Sequence, residues 1–125
     1  MGHAVKNPIR IAGALIALTL ASGVPSGEAA AFTELRRQLN CLALNMYFEA
    51  RSEPDLGKIA VSHVVLNRVE SKLFPNTICQ VVQQGGERRR NRCQFSWWCD
   101  GRSDIPRDAS AWRHSRALAQ KIHWG

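Results

Sequence analysis

The sequence has few aromatic and acidic residues, and it lacks several patterns that define whole classes of protein. Aromatic residues make up 7% of the 125 positions, and only 10 residues are Asp or Glu. Serine, glutamine and proline form no tract and no internal repeat is visible, which excludes collagen-like, mucin-like and low-complexity chains. Length and composition therefore predict one small globular domain, with no room for a second.

The one long apolar stretch, near the N-terminus, is too short for a typical membrane span. Two basic residues precede an apolar run over residues 11–24, and small residues follow at Ala29 and Ala31. As a helix this run would reach about 21 Å, against roughly 30 Å for a hydrocarbon core, so a permanent anchor is the weaker interpretation. The layout is typical of a secretory signal peptide, which we assign to residues 1–31, with the mature domain at residues 32–125.

Export and charge together restrict the partners of the chain. We expect the mature domain in the periplasm or cell envelope, with no stable membrane insertion after signal cleavage. The formal charge of +7 favours anionic partners, which include nucleic acid, anionic lipid and acidic envelope polymers. Because an exported protein is separated from nucleic acid, we expect no nucleic-acid partner. The arginine-rich residues 88–92 are interpreted as a solvated loop, with contact to an anion as the alternative.

The four cysteines form an even set, as expected of disulfides that stabilise a small exported domain. Cys41, Cys79, Cys93 and Cys99 allow three pairings. Closing a loop of about 15 residues stabilises by roughly 3 kcal/mol in the chain-entropy model, which weakly favours Cys79 with Cys93. There is no Cys-x-x-Cys pair and the histidines fall at no ligand spacing, so we expect neither a metal nor another cofactor.

Two long helices are predicted in the first half of the mature domain. Thr33 is the expected cap of the first helix, which ends before Pro54. A continuous apolar run over residues 56–69 follows Pro54 and predicts a second, buried helix, although its β-branched residues also suit a strand. The buried stripe of the first helix is predicted at Leu35, Leu39, Leu42, Met46 and Ala50.

The second half is predicted to contain shorter elements. Thr77 is the expected cap of a short helix that stops at the glycines of residues 85–86. Residues 93–101 are long enough only for a turn or a pair of strands. A last helix is predicted to start at Asp108 or Ser110. The fold class is therefore mainly α, with a short strand or turn segment.

Glu49 departs from the pattern of apolar residues inside and charged residues outside. It lies at the edge of the first apolar stripe, beside Tyr47 and Phe48. Partial desolvation would raise the pKa of this carboxyl group, which is what a general acid requires. The alternative is a helix-end glutamate that pairs with Arg51 or caps the next helix. Glu53 is a possible second carboxylate, but its place at the start of the next helix favours a structural role.

The segment QFSWW at residues 94–98 combines flat apolar rings with hydrogen-bonding groups. Two adjacent tryptophans in an extended segment point to opposite faces, so we expect either Trp97 or Trp98 to line a groove and the other to be buried. Such a groove suits stacking on a sugar ring, with core packing beside a disulfide as the alternative.

Four sequence blocks keep an order and spacing that resemble the catalytic domain of the SleB-type cell wall hydrolases. This bacterial group includes the spore-cortex lytic enzymes, and the resemblance covers residues 40–122. The matching blocks are ALNMYFEARSEP at 43–54, GKIAVSHVVLNRV at 57–69, FPNTIC at 74–79 and CQFSWWCDG at 93–101.

The resemblance implies a small lysozyme-like domain that acts on the glycan strand of peptidoglycan, with Glu49 at the position of the catalytic glutamate. Family members usually continue beyond the last matched helix with a segment containing Gly and Tyr, so we expect this domain to be truncated at its C-terminus. The cleft residues implied or expected to contact substrate are Tyr47, Gln94, Phe95, Ser96 and Trp97.

A lytic transglycosylase, which the family resembles, needs one acid and closes a 1,6-anhydro ring on N-acetylmuramic acid without attack by water. Hydrolysis of the same β-1,4 bond is the near alternative. A non-catalytic peptidoglycan-binding or regulatory protein is the main alternative from another class. An amidase that separates glycan from peptide is a lesser one, since it would need zinc ligands that the sequence does not space correctly.

Overall fold

The computed structural model describes residues 26–86 and 92–125. Residues 1–25, which hold most of the predicted signal peptide, and the arginine-rich residues 87–91 lie outside this part. The described chain forms helices α1 (Ser26–Ala50), α2 (Asp55–Glu70), α3 (Ile78–Val82) and α4 (Ala109–Trp124), with a 3-10 helix at Ser96–Cys99. The prediction of a small, mainly helical domain is confirmed.

Helix α1 is the central element, because its contacts with the other three α-helices are the most extensive in the described fold. Its second half is buried, and the predicted apolar stripe is confirmed only there: Leu42, Met46 and Ala50 are buried, whereas Leu35 and Leu39 are half-buried. The predicted start is wrong. The helix begins at Ser26, upstream of the expected cap Thr33, whose hydroxyl donates to the Ala29 carbonyl oxygen at 2.9 Å within the helix.

The apolar run after Pro54 is a helix, as predicted, but it is buried on only one stripe. Val65 is fully buried against the core, whereas Leu56 is 78% exposed. The buried stripe also holds Lys58, whose ammonium group donates to the Glu53 carbonyl oxygen. This bond compensates for the burial of a charged group. Within the described ranges no helix combines the length and apolar character needed to cross a bilayer.

The cap predicted for α3 is confirmed, and of the two starts predicted for α4, Asp108 rather than Ser110 is the cap. The Thr77 hydroxyl accepts a hydrogen bond from the Gln80 backbone N–H at the start of α3. The Asp108 carboxylate accepts from the Ala111 backbone N–H at 2.9 Å at the start of α4. Helix α4 buries Ser115, Leu118 and Ala119 in the same core.

The two disulfides join Cys41 to Cys79 and Cys93 to Cys99. The favoured pairing of Cys79 with Cys93 is therefore wrong. Packing of α3 against α1 brings Cys41 and Cys79 together with a Cα–Cα distance of 5.2 Å, although 38 residues separate them. An estimate from loop length alone cannot predict this long-range pairing, because it ignores how the helices pack. The second bridge closes a tight turn that contains the 3-10 helix.

The segment that follows α3 approaches the second disulfide too closely for a side chain. Gly85 and Gly86 have φ angles of +86° and +80°, which L side chains rarely adopt. A Cβ at Gly86 would collide with the Cys93 sulfur and lie 3.1 Å from the Cys99 Cβ. Gly85 forms an isolated antiparallel bridge with Cys93, and the described ranges contain no longer strand.

We predict that the oxidised chain contains no free thiol and that peptide mapping recovers the two observed pairs. In the chain-entropy model the 38-residue bridge stabilises by about 4 kcal/mol and the short bridge by about 2 kcal/mol. Replacing both Cys41 and Cys79 by alanine should therefore lower the melting temperature more than replacing both Cys93 and Cys99. Reactive thiols in the oxidised chain, or the reverse order of melting temperatures, would contradict these pairings.

Candidate active site

An open cavity of about 740 Å³ lies where the end of α1 faces the 3-10 helix and the loop that leads to α4. The last turn of α1 contributes Phe48 and Glu49, and the 3-10 helix contributes Ser96 and Trp97. Residues from 100–107 supply the remaining wall, which is mostly charged. The cavity therefore has one wall built on a helix and another built on a loop.

Glu49 projects from α1 as an exposed side chain that lines this cavity. Partial burial raises the pKa of its carboxyl group above the ordinary value. The alternative ion pair with Arg51 is not formed, because the Arg51 guanidinium donates to the Tyr47 hydroxyl at 3.0 Å and lies 5.2 Å from the centre of that ring. Glu49 is thus a carboxyl group without a neutralising cation among the described residues.

The second carboxylate considered from the sequence, Glu53, does not line the cavity. It lies in the turn after α1, where its backbone N–H donates to the Ala50 carbonyl oxygen at 3.0 Å. The other carboxylates in the cavity are Asp100 and Asp104. Burial, and then the charge of Asp100, raises the pKa of Asp104. Neither Asp100 nor Asp104 was predicted from the sequence as a site residue, because a polar loop has no periodicity that indicates which side chains face inward.

Tyr47, predicted as a substrate contact, holds the two walls of the cavity together. Its ring is 1% exposed. Its hydroxyl accepts hydrogen bonds from the backbone N–H groups of Arg107 at 3.2 Å and Asp108 at 3.0 Å. The bond from Asp108 is the main cause that lowers the pKa of Tyr47. This oxygen therefore fastens the end of the loop to α1.

Trp97 forms an aromatic surface of the cavity together with Phe48. The two rings stack with centroids 4.8 Å apart and an interplanar angle of 18°. The indole N–H of Trp97 donates to the Asn45 side-chain oxygen at 2.9 Å. Trp97 is thus both buried, at 6% exposure, and part of the lining.

Of the other residues predicted to line the cleft, only Ser96 is among the described residues that line the cavity. Ser96 lines the cavity, whereas Phe95 is buried in the core with the Arg68 guanidinium 5.5 Å from its ring centre. Gln94 is exposed outside the described lining, and its backbone N–H donates to the Gln84 carbonyl oxygen. The predicted extended alternation is wrong because residues 96–99 form a 3-10 helix, in which side chains three positions apart align.

Residues 52–124 match the family model described as Cell Wall Hydrolase. This match spans more than half of the sequence, and the chain belongs to the cell wall hydrolase family. The family predicted from the sequence blocks is therefore confirmed. The match begins after Glu49, so the case for that residue depends on the cavity and on the sequence blocks around it.

The chain is also similar to three bacterial proteins named spore cortex-lytic enzyme. It is 39% identical to that of Bacillus cereus over 61 residues, which are 49% of this chain and 21% of that protein. The identity is 46% over 44 residues for Bacillus subtilis, covering 35% of this chain and 14% of that protein. The identity to the protein of Oceanobacillus iheyensis is 43% over 47 residues, which are 38% of this chain and 17% of that protein.

The chain thus matches about a fifth or less of the length of these relatives. No solved structure matches it. Within residues 26–86 and 92–125, no group of three His, Cys, Asp or Glu side chains is arranged to hold a metal ion.

We predict that Tyr47→Phe destabilises the chain by about 1 to 3 kcal/mol, because two backbone N–H groups lose their acceptor. Amide hydrogen exchange should accelerate at Arg107 and Asp108, and denaturant unfolding should give the free energy. Arg113→Ala, at an exposed position on α4, is the surface control and should change stability by less than about 0.5 kcal/mol. Unchanged exchange at both amides would contradict the fastening role of the hydroxyl.

Proposed function

We propose that the chain cleaves the β-1,4 bond between N-acetylmuramic acid and N-acetylglucosamine in peptidoglycan, as a lytic transglycosylase with Glu49 as its acid. Membership of the cell wall hydrolase family and the named relatives support the substrate. The observation that carries the role of Glu49 is its position: it lines an open cavity with a raised pKa and without a paired cation. We further propose that the mature domain acts in the periplasm or cell envelope.

In the first step, protonated Glu49 donates its proton to the oxygen that links the two sugars. A raised pKa keeps more of this carboxyl group protonated near neutral pH than an ordinary glutamate would be. Positive charge develops at the sugar carbon as the bond breaks, and the N-acetyl group of the substrate can stabilise that charge. This step requires one acid from the protein.

In the second step, the ionised Glu49 accepts the proton of the muramic 6-hydroxyl group. That oxygen then bonds to the sugar carbon and closes the 1,6-anhydro ring, so the carboxyl group ends protonated as it began. The half-buried Phe48 ring lines the cavity next to Glu49 and offers an aromatic contact to a sugar ring, and Ser96 adds a hydroxyl group to the wall. We propose that Trp97 and Ser96 contact the substrate directly and that Tyr47 acts by holding the loop.

The charged side chains of the loop wall are of both signs. Two arginines and two aspartates line it, so their formal charges balance: Arg102, Arg107, Asp100 and Asp104. The charge that would attract the carboxylates of peptidoglycan stem peptides is therefore that of the whole chain, formally +7, which acts over a distance set by ionic strength. This net charge supports an acidic envelope polymer as the partner.

Hydrolysis is the second candidate reaction, and Asp104 is the observation that favours it. An inverting or retaining hydrolase uses two carboxyl groups, and Asp104 lines the same cavity as Glu49. In this case Asp104 would activate a water molecule or stabilise charge on the sugar. The products separate the two reactions, since only the transglycosylase leaves 1,6-anhydro ends.

We predict that Glu49→Gln lowers turnover of purified sacculi by about 10² to 10⁴, because the amide keeps the shape of the side chain without the acidic proton. Mass spectrometry of released muropeptides measures both the rate and the anhydro ends. Glu53→Gln is the matched control outside the cavity and should retain activity. If the Glu49→Gln variant is as active as the unsubstituted chain, Glu49 is excluded as the acid. If the unsubstituted chain binds sacculi but releases no product, the non-catalytic alternative is favoured.

We predict that the alkaline limb of kcat lies above pH 4.5, the ordinary pKa of a glutamate. Burial raises the pKa of Glu49, and the acid step needs the protonated form, so activity persists to a higher pH than an ordinary glutamate allows. The profile is measured as kcat against pH at saturating substrate, with Glu53→Gln again as the control. A limb at or below pH 4.5 would contradict the desolvated environment of Glu49.

A further inference from the structure

A second groove, of about 440 Å³, lies beside the aromatic segment and shares no described lining residue with the active-site cavity. Its described lining contains no charged side chain, in contrast to the mostly charged loop wall of the cavity. The lining residues are Pro75, Gln80, Gln83, Gln84 and Trp98. One flat ring and several amides in a neutral groove suit an uncharged ligand with many hydroxyl groups.

We propose that this groove, which we name the Trp98 groove, binds a sugar ring stacked on Trp98 and hydrogen-bonded by the glutamine amides. The inference rests on the proposed function for its ligand class. The ring would be an N-acetylated amino sugar of the glycan strand, bound away from the linkage that is cleaved. The groove would thus hold the polymer while the cavity acts on one bond.

Trp98 is available for stacking because its neighbour occupies the core. Trp97 is stacked on Phe48 and hydrogen-bonded to Asn45, whereas Trp98 is 36% exposed. The two indoles are nearly perpendicular, at 82° and 5.9 Å between centroids. Trp97 therefore belongs to the active-site cavity and Trp98 to the neighbouring groove, although they are adjacent in the chain.

The glutamine amides present both a donor and an acceptor. The Thr77 hydroxyl donates to the Gln80 side-chain oxygen at 2.9 Å, which leaves the Gln80 NH₂ group as a donor. The side-chain oxygen of Gln84 is shielded from water and has no hydrogen-bond donor within the described part of the chain. Such an acceptor is costly to leave unpaired, and the broad terminal torsion of glutamine allows it to turn toward a ligand. An N-acetyl group offers both an N–H donor and a carbonyl acceptor to this pair.

The groove is held in shape by the backbone beneath it. The Gln84 carbonyl oxygen accepts from the Gln94 backbone N–H at 2.9 Å, and Gly85 pairs with Cys93 in the adjoining bridge. The Cys93–Cys99 disulfide then connects this bridge to the turn that carries Trp98. The backbone at Trp98 and Gln84 is therefore held in place before any ligand binds, which reduces the entropy lost on binding.

The test measures binding of a soluble β-1,4-linked N-acetylglucosamine tetramer to the Glu49→Gln chain, in which turnover is suppressed. We expect the tetramer to shift the NMR signals of the Trp98 indole N–H and of the glutamine side-chain amides. Trp98→Ala should weaken the binding that is monitored by the glutamine amides at least five-fold. Trp98→Phe, which keeps a flat ring, should restore part of the affinity and guards against misfolding of the alanine variant.

Gln80→Leu, at an exposed position, should weaken the same binding two- to five-fold while the melting temperature stays unchanged. Leu56→Ala, exposed on α2 and outside the groove, is the control and should bind as the Glu49→Gln parent does. Shifts confined to Ser96 and the active-site cavity, or full affinity in folded Trp98→Ala, would overturn the proposal. Sugar binding in the groove of a chain that cleaves no sacculi would support this inference and contradict only the proposed reaction.

Discussion

The geometry of the candidate active site depends on one buried oxygen, the hydroxyl of Tyr47. It accepts from the Arg51 guanidinium and from two consecutive backbone N–H groups of the loop that precedes α4. Glu49 lies two residues farther along α1 and lines the cavity that this loop borders. The Arg51 guanidinium donates to the Tyr47 hydroxyl and forms no ion pair with Glu49 in the described part of the chain. The Tyr47 hydroxyl thereby fastens the loop wall and holds the Arg51 side chain.

Successive turns of α1 hold the other parts of the domain in the same way. Gln38 accepts from the Cys79 backbone N–H at 2.9 Å, and Cys41 bonds covalently to that residue, so α3 is fixed by two neighbouring turns. Asn45 then accepts from the Trp97 indole, and Tyr47 holds the loop. The helix therefore supplies both a large share of the apolar core and specific polar contacts to each segment that lines the site.

Local features of the fold could be predicted from the sequence, whereas long-range ones could not. The caps at Thr77 and Asp108 depend on neighbouring residues; Thr77 was predicted, and Asp108 was one of the two predicted starts of α4. Thr33 has the same chemistry, but the helix continues upstream and its hydroxyl bonds within it. The disulfide pairing depends on how α3 packs on α1, which loop length does not encode. The resemblance predicted that Glu49 and Ser96 lie in one cleft, and both line the cavity. The inward position of Asp104 could not be predicted, because it depends on the path of a loop that has no sequence pattern.

The division of the cavity between a helix and a loop has a consequence for how the site can change over evolutionary time. Glu49, the proposed acid, stands on α1, where most neighbouring positions are buried in the core, so this wall tolerates little variation. The facing loop is fastened at its end near Arg107, and it includes exposed positions such as Ile105, at 72% exposure. Substitutions there alter the shape and charge presented to the substrate at little cost to folding. Descendants of one ancestral chain could thus diverge in the ligands that the loop wall accepts while keeping the same glutamate on α1.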